Sequence, residues 1–214
     1  MSKLSSGGNV SQAVVRRLSR YYRHLHEMLQ EDVHRISSQK LADRLGLTAS
    51  QIRQDLNCFG GFGQQGYGYN VEILLREIGG ILGVRRGLAA ILIGVGNMGR
   101  ALCNNFDFSW AGIRLIGIFD NNPDVVGSTV GGFTVQAIER LDAFAERRRP
   151  DIAVLTLPRE LAPAMAERLT RLSVRGLWNF TGADLHLSIE GAAVENVNFA
   201  DSLLTLSYRV GELL

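Results

Sequence analysis

The stretch that decides the fold of this chain is Ile91-Leu92-Ile93-Gly94-Val95-Gly96-Asn97-Met98-Gly99-Arg100. An apolar run from Leu88 to Ile93 predicts a buried strand, which leads into the pattern G-x-G-x-x-G and then into a helix. A second apolar strand is predicted over residues 113–119 and ends at Asp120, 21 residues after Gly99. Strand, glycine loop, helix, strand and acidic residue in this order are typical of a dinucleotide-binding βαβ unit.

Each residue type in this unit has a physical reason. Gly94 permits a tight turn, Gly96 lets a pyrophosphate approach the backbone, and Gly99 lets the helix pack closely on the strand. The helix N-terminus offers oriented N–H groups and partial positive charge to the phosphates. Asp120 would accept hydrogen bonds from an adenine-ribose 2′-hydroxyl and repel a 2′-phosphate, so NAD(H) is favoured over NADP(H). The alternative is a glycine-rich turn that binds nothing.

Two later strands predict the rest of the ligand crevice. Residues 151–157 form an uncharged run after the first residue, and residues 176–180 form another short strand. Ligands bind outside the carboxyl ends of parallel strands. An apolar lining near Phe180 would prefer the neutral ring of NADH to the charged ring of NAD⁺, although Phe180 could equally fill the core. The predicted cofactor-binding residues are Gly94, Val95, Gly96, Asn97, Met98, Gly99, Asp120, Asn121, Thr156, Leu157, Pro158, Asn179 and Phe180.

The N-terminal half predicts a helix-turn-helix. Apolar residues at helical spacing over residues 10–30 predict a long helix with Ser11 as its N-cap. Ser38 is predicted to cap a short helix that ends at Gly46, and Thr48 to cap a second helix. Two short helices joined by residues 46–48 form a helix-turn-helix. A further amphipathic helix is predicted over residues 71–82, before a basic linker.

The second of these helices carries short polar, amide and guanidinium side chains on its outer face. Such side chains suit base edges in a major groove and phosphates, although a solvated helix face is the alternative. Residues 60–69 contain five glycines and three aromatic residues, which suits a wing close to a phosphate backbone. The predicted DNA-binding residues are Ser37, Ser38, Lys40, Ser50, Gln51, Arg53, Gln54, Asn57, Gly63, Gln64 and Tyr67.

Charge is distributed unevenly along the 214 residues, whose net charge is +2. Residues 1–88 hold 12 Lys and Arg against 7 Asp and Glu, whereas residues 89–214 hold 11 against 14. This asymmetry points to a polyanion partner for the first half, with ordinary helix surface as the alternative. No apolar run reaches the roughly 18 residues of a membrane span, and no signal-peptide core is present, so a cytoplasmic protein is expected.

An NAD-dependent dehydrogenase is the natural alternative for a chain with this glycine motif. Hydride transfer usually needs a positioned acid or base, and His186 is the only histidine after residue 120. The sequence has no His and Cys spacing typical of a metal site, so no metal is predicted. A coenzyme A-binding module is a second alternative, against which Asp120 favours a free ribose hydroxyl. We interpret the chain as a non-enzymatic switch.

Several segments in a fixed order carry a family resemblance: Arg35-Ile-Ser-Ser38, Ile52-Arg-Gln-Asp-Leu56, Phe59-Gly-Gly-Phe-Gly63, Gly66-Tyr-Gly-Tyr-Asn-Val71, Ile93-Gly-Val-Gly-Asn-Met-Gly-Arg100, Phe119-Asp120, Leu157-Pro-Arg-Glu160, Trp178-Asn-Phe180 and Val194-Glu-Asn-Val197. The chain resembles the Rex family of redox-sensing transcriptional repressors along essentially its whole length. The resemblance implies a homodimer that binds palindromic double-stranded operator DNA when NADH is scarce, and that releases the DNA when NADH binds.

The expected fold is α/β. We expect an N-terminal winged-helix DNA-binding domain over residues 1–84 and a Rossmann-type doubly wound parallel sheet over residues 85–199. A C-terminal helix follows over residues 200–214, and its apolar face must be buried. The resemblance implies that this helix is domain-swapped and reaches across to the partner subunit.

The chain departs from the family pattern at several positions. The family usually carries Lys or Arg where Gln54 stands, and often basic residues at Gln64 and Gln65, so phosphate attraction should be weaker and the preferred operator different. Asn198 stands where an Asp is common, and Asn105 where a Tyr is sometimes found. These two positions can join a cofactor-dependent network in the family, so the allosteric coupling of this chain stays open, as do its operator sequence and target genes.

Overall fold

The chain divides into two compact units, Met1–Arg85 and Arg86–Leu214. The structure is a computed structural model that describes residues 11–59, 68–185 and 191–213. Each unit has its own buried apolar cluster or clusters. Over the described residues, no helix is both long enough and apolar enough to cross a membrane.

The first unit is a small helical domain with one two-stranded pairing. Its elements are α1 (Gln12–Gln30), β1 (Arg35–Ile36), α2 (Ser38–Leu45), α3 (Ala49–Asn57), β2 (Tyr69–Asn70) and α4 (Val71–Leu82). Helix α1 buries Leu18, Tyr21, Leu25 and Met28 on one face, as the helical spacing predicts. This face packs with the buried residues of the other three helices into a single core.

Side-chain caps fix the ends of these helices. The N-caps Ser11 and Thr48 are as predicted, and Gly46 ends α2 with a left-handed backbone. The predicted N-cap of α2, Ser38, was wrong by one residue, because the hydroxyl of Ser37 accepts the backbone N–H of Lys40. Helices α2 and α3 therefore form the expected helix-turn-helix, with the turn at residues 46–48.

The base of the predicted wing is present as an antiparallel pairing of β1 and β2. Arg35 pairs with Asn70 and Ile36 with Tyr69. Gly68 precedes β2 at a φ of 71°, and an added Cβ would lie 2.6 Å from the Ile36 carbonyl oxygen. A side chain there would force the two strands apart. The rest of the segment predicted to form the wing, residues 60–67, lies outside the described residues.

The second unit is built on a mostly parallel sheet. Its elements are β3 (Leu88–Ile93), α5 (Asn97–Asn105), β4 (Ile113–Asp120), β5 (Thr129–Val130), β6 (Phe133–Ala137), α6 (Leu141–Arg148), β7 (Ile152–Leu155), α7 (Ala162–Arg171), β8 (Gly176–Asn179), β9 (Ala193–Asn196) and α8 (Phe199–Gly211). The order of the described strands is β5-β6-β4-β3-β7-β8-β9, and β5 is antiparallel to its neighbour. This order makes the unit the predicted Rossmann-type sheet.

Apolar side chains alternate between the two faces of this sheet. Ile91 and Ile93 belong to the cluster under α6 and α7, whereas Leu92 belongs to the cluster with Leu102 of α5. Both faces are covered, which explains why β3 reads as a continuous apolar run. The strand order reverses beside β3, and the carboxyl ends of β4, β3 and β7 therefore flank one crevice.

Some elements differ from the predictions. Strand β7 ends at Leu155 rather than at residue 157, and the hydroxyl of the next residue, Thr156, donates to the carbonyl oxygen of Gly94. A 3-10 turn over Arg159–Leu161 precedes α7, which starts at Ala162. The β5–β6 hairpin and α6 were not predicted, because β5 has only two residues, β6 buries only one side chain, and α6 has a weak apolar pattern.

Helix α8 exposes its apolar side chains. Leu203, Leu204, Leu206 and Tyr208 are between 56% and 69% exposed, and no residue of α8 is buried. The helix begins at Phe199, one residue before the predicted start, because Asn198 caps it by accepting the N–H of Ala200. A helix with this composition needs a covering surface that the described residues of the second unit do not supply.

Candidate functional site

In the glycine loop between β3 and α5, close backbone contacts leave no room for a side chain at Gly94 and Gly99. Gly94 has a φ of 97°, and a Cβ there would lie 2.7 Å from the carbonyl oxygen of Thr156. A Cβ on Gly99 would overlap the carbonyl oxygen of Gly94. Gly96, by contrast, is the N-cap of α5 and faces open space. The loop therefore presents bare backbone at the N-terminus of α5, where a phosphate could approach.

Asp120 joins the end of β4 to this loop. Its Oδ2 accepts the backbone N–H of Val95 at 2.5 Å, and its Oδ1 accepts the N–H of Asn122 at 2.8 Å. A carboxylate has about four acceptor positions, so the two oxygens keep capacity for a ligand hydroxyl. The same bonds hold the carboxylate in place before any ligand arrives.

A cavity of about 710 Å³ lies beside the glycine loop. Eight of the thirteen predicted cofactor residues line it: Gly94, Val95, Gly96, Asp120, Asn121, Thr156, Leu157 and Pro158. Its volume falls within the roughly 300–1,000 Å³ typical of small-molecule sites. The crevice therefore combines exposed loop backbone, a fixed carboxylate and enough volume for much of a dinucleotide.

Eight further residues line this cavity that were not among the predicted cofactor residues. The missed lining residues are Ile93, Asn122, Val125, Ile138, Leu161, Ala164, Met165 and Arg168. Five of the eight come from the turn after β6, from the 3-10 turn before α7 and from α7 itself, which lie far from the glycine motif in the sequence. The helical spacing of residues 161, 164, 165 and 168 is the signal that could have revealed a shared face.

Five predicted cofactor residues are not in the cavity lining: Asn97, Met98, Gly99, Asn179 and Phe180. Asn179 is 1% exposed, and its amide is fully used inside the protein. Its Nδ2 donates to Ala183 O at 2.7 Å and to Asn196 Oδ1 at 2.8 Å, while its Oδ1 accepts the N–H and hydroxyl of Thr181. Asn179 thus stabilises the loop after β8 through these hydrogen bonds.

Phe180 is half-buried in a row of aromatic rings. Its ring centroid lies 4.6 Å from that of Trp178 and 6.4 Å from that of Phe199. Trp178 in turn contacts Phe106 and Phe108. Edge and tilted contacts of this kind stabilise a core, so packing accounts for at least part of the role of Phe180. The row joins the end of β8 to the first residue of α8.

Four predicted DNA-binding residues lie on one exposed face of α3. They are Ser50, Arg53, Gln54 and Asn57, which also line one surface cleft. Arg53 Nη1 donates to Ser38 Oγ at 3.0 Å, so the guanidinium is held beside the start of α2. In DNA-binding helix-turn-helix domains, exposed donors and acceptors at these positions of the second helix contact base edges in the major groove.

Gln51, also predicted to bind DNA, is not part of this exposed face. It is half-buried, and its Nε2 donates to Asp55 Oδ1 at 2.8 Å. Ser37 and Lys40 are exposed at the start of α2, and Ser38 is half-buried there. The predicted wing residues Gly63, Gln64 and Tyr67 lie outside the described residues, as does Gln65.

A buried charge that the sequence analysis missed ties α3 to α1. Asp55 is 1% exposed and accepts Arg17 Nε at 2.6 Å, Arg17 Nη2 at 2.8 Å and the Tyr21 hydroxyl at 2.6 Å. Burial alone would raise the pKa of Asp55, but the hydrogen bonds from Arg17, Tyr21 and Gln51 outweigh it and lower that pKa. Burial and the bond to Asp55 raise the pKa of Tyr21. The recognition helix is thus anchored by an ionised carboxylate.

Over the described ranges, His, Cys, Asp and Glu side chains form no group of three that could hold a metal ion. The described cysteines, Cys58 and Cys103, are both free thiols. Burial raises the pKa of the Cys103 thiol, which makes it less reactive. Neither observation adds a further chemical site to the crevice and the α3 face.

Comparisons with known proteins match both units. A family model described as "Putative DNA-binding protein N-terminus" matches residues 9–57, and one described as "CoA binding domain" matches residues 86–183. The redox-sensing transcriptional repressor Rex of Clostridioides difficile (strain 630) is 48% identical over 204 residues, which is 95% of this chain and 97% of that protein.

Two solved structures are similar over nearly the whole chain. A crystal structure of RSP in complex with beta-NAD⁺ and operator DNA is 47% identical, with a TM-score of 0.87, and the match covers 96% of this chain and 94% of that one. A crystal structure of RSP in complex with beta-NADH is 44% identical, with a TM-score of 0.87 and a coverage of 96% for both chains. The likeness therefore includes both units and their order along the chain.

Proposed function

This chain belongs to the Rex family of redox-sensing transcriptional repressors, and from that premise we propose that it binds palindromic operator DNA as a homodimer and releases it in response to NADH. Repressors of this family are not enzymes, although their second domain has the fold of many dehydrogenases. The observation that carries the proposal is the fixed carboxylate of Asp120 beside a loop whose Gly94 and Gly99 have no room for side chains and whose Gly96 exposes its backbone.

The residues present fit a dinucleotide. Gly96 and the N-terminus of α5 would receive the pyrophosphate, and the spare acceptor positions of Asp120 would receive the ribose hydroxyls. A 2′-phosphate would meet the Asp120 carboxylate, so NADPH should bind poorly. The Asp120 carboxylate also disfavours coenzyme A, because the ribose of coenzyme A carries a phosphate next to the hydroxyl that Asp120 would bind.

For DNA, we assign base contacts to the exposed face of α3, with Arg53, Gln54 and Asn57 at its centre and Ser50 at its edge. An arginine held by Ser38 suits a bidentate contact with guanine, and the amides suit adenine. Ser37, Ser38 and Lys40 would lie nearer the phosphates. Gln51 is moved from the base-reading set to the support of α3, because its amide already donates to Asp55.

The exposed apolar face of α8 supports the homodimer. We propose that residues 200–214 cross to the partner subunit, beyond a DNA-binding domain over residues 1–84 and a nucleotide-binding domain over residues 85–199. A free apolar helix would cause aggregation, whereas a second copy of this chain would cover it. We place the protein in the cytoplasm, where operator DNA and NADH are both present.

Regulation then needs only a difference in NADH affinity between two arrangements of the dimer. Two α3 helices occupy successive major grooves only when they are about 34–36 Å apart. A coupling of about 1–3 kcal/mol between the crevice and this spacing would give roughly 5–150-fold release of operator. Because binding linkage is reciprocal, operator DNA must weaken NADH binding by the same factor.

A titration of Rex-type palindromes with the full chain tests the proposal. NADH should lower the affinity for the palindrome, NAD⁺ should lower it less, and NADPH and coenzyme A should have no effect at equal concentration. The salt concentration must be fixed, because phosphate contacts make every DNA affinity salt-dependent. If operator affinity does not change at saturating NADH, the two units bind their ligands independently and the switch is wrong.

A further inference from the structure

We propose that Arg168, held by Asp142, is the group that recognises the adenine base in the crevice. The inference rests on the proposed NADH site and concerns the wall that the glycine motif does not predict. Arg168 lies on α7 and lines the cavity together with Ile138 and Met165. Because Asp120 fixes where the adenine ribose would lie, the adjoining wall is the part of the cavity that a purine can reach.

The Arg168 guanidinium is fixed by two neighbours. Its Nε and Nη2 each lie 2.8 Å from Asp142 Oδ1, and Nη2 donates to the carbonyl oxygen of Ile138 at 3.3 Å. Asp142 is in the first turn of α6. The side chain of Arg168 is 29% exposed, so most of it is already out of water. A guanidinium ordered in this way loses little further freedom when a ligand binds.

The chemistry of this wall suits a flat, uncharged heteroaromatic ring. Ala164 and Met165 on α7, and Leu161 in the 3-10 turn before it, supply apolar contact. The planar guanidinium can stack on a purine or donate to its ring nitrogens, and its charge is balanced by Asp142. A phosphate would gain less here, because the carboxylate of Asp142 shares the same guanidinium.

If Arg168 binds the adenine base, it contributes to the affinity for NADH and NAD⁺ but not to the preference for one over the other. NADH and NAD⁺ carry the same adenine half, so loss of Arg168 should weaken both by the same factor. The preference for NADH over NAD⁺ would then remain. A residue that merely supported the fold would have no reason to distinguish one half of the dinucleotide from the other.

The test measures dissociation constants of the full-length Arg168→Ala protein by calorimetry for three probes. ADP-ribose carries the adenine half, reduced nicotinamide mononucleotide carries the other half, and NADH carries both. We expect about a tenfold weaker affinity for NADH and ADP-ribose, which corresponds to about 1.4 kcal/mol. Binding of the mononucleotide should change by less than about twofold, and Arg168→Lys should not restore binding of ADP-ribose, because lysine lacks the planar group.

The matched control is Arg171→Ala, because Arg171 is on the same helix, is 71% exposed and does not line the cavity. It should change none of the three affinities, and thermal unfolding should show that both variants fold; Arg168→Met replaces Arg168→Ala if the latter does not. Equal weakening of the mononucleotide and ADP-ribose, or unchanged ADP-ribose binding, overturns the assignment. If NADH fails to release operator from the unaltered protein, the proposed function fails, whereas the ADP-ribose result still decides the role of Arg168.

Discussion

Replacement of Asp55 by alanine should destabilise the DNA-binding unit by about 3 kcal/mol. Asp55 is 1% exposed and accepts hydrogen bonds from Arg17, Tyr21 and Gln51. Removing one partner of a buried ion pair typically costs about 3–5 kcal/mol. The lower value applies here because the Arg17 side chain is 25% exposed and recovers part of its hydration, whereas the buried Tyr21 hydroxyl loses its acceptor.

The measurement is urea unfolding of the full-length protein with two probes. Both tryptophans, Trp110 and Trp178, are in the second unit, so their fluorescence reports that unit and should not change. Hydrogen exchange of α1 and α3 amides reports the first unit and should become faster. The control is Asp43→Ala, an exposed carboxylate on α2 that pairs with Gln39, for which about 0.5 kcal/mol or less is expected. A loss below about 1 kcal/mol for Asp55→Ala would refute the reasoning.

The effect of Asp55 should also depend on pH. The folded pKa of this carboxyl is lowered, so its stabilising contribution is fully present above the unfolded value of about 3.9 and is lost as the pH falls through the lowered folded value. The difference in stability between the unaltered protein and Asp55→Ala should therefore be constant near neutral pH and shrink in acid. A difference that grows in acid would mean that the carboxylate is not the stabilising form.

Three further predictions address ligand, DNA and assembly. Asp120→Ala should narrow the gap between NADH and NADPH affinity, because the charge that repels a 2′-phosphate is gone; equal affinities of the unaltered protein for the two would contradict the ribose argument. Arg53→Ala should weaken operator binding by about 1–3 kcal/mol and relax base preference at one position per half-site. Unchanged operator affinity in a mobility-shift titration would place the reading surface elsewhere. Deletion of residues 201–214 should give monomers or aggregates in light scattering, since the surface that covers α8 would be left open; a soluble and fully dimeric truncation would argue against this assembly.

The glycine loop could be predicted from sequence because its chemistry is local. Gly94, Gly99 and Asp120 act through the backbone and through one strand end, and their spacing fixes their geometry. The helix caps at Ser11 and Thr48 were predictable for the same reason, since a cap depends on the next three residues.

Residues that depend on tertiary contacts were not predictable in this way. Asp55 reads as one more polar position of a helix, and only its distance from Arg17 shows that it is buried and ionised. Arg168 reads as a surface residue until α7 places it beside the turn after β6. Asn179 reads as a ligand-binding amide at a strand end, but four internal hydrogen bonds use its amide. Side-chain contacts between segments that are far apart in the sequence leave no periodic pattern in it.

The exposed face of α8 has a genetic consequence. If this helix joins two copies of the chain, assembly does not depend on α3, so a copy with Arg53 replaced would still pair with normal copies. Such mixed dimers would have one intact DNA-binding domain for an operator with two half-sites. A cell that carries both alleles would then lose repression beyond the half expected from gene dosage. Removing the α8 face from the defective copy should abolish this dominance, because the copy could no longer recruit normal subunits.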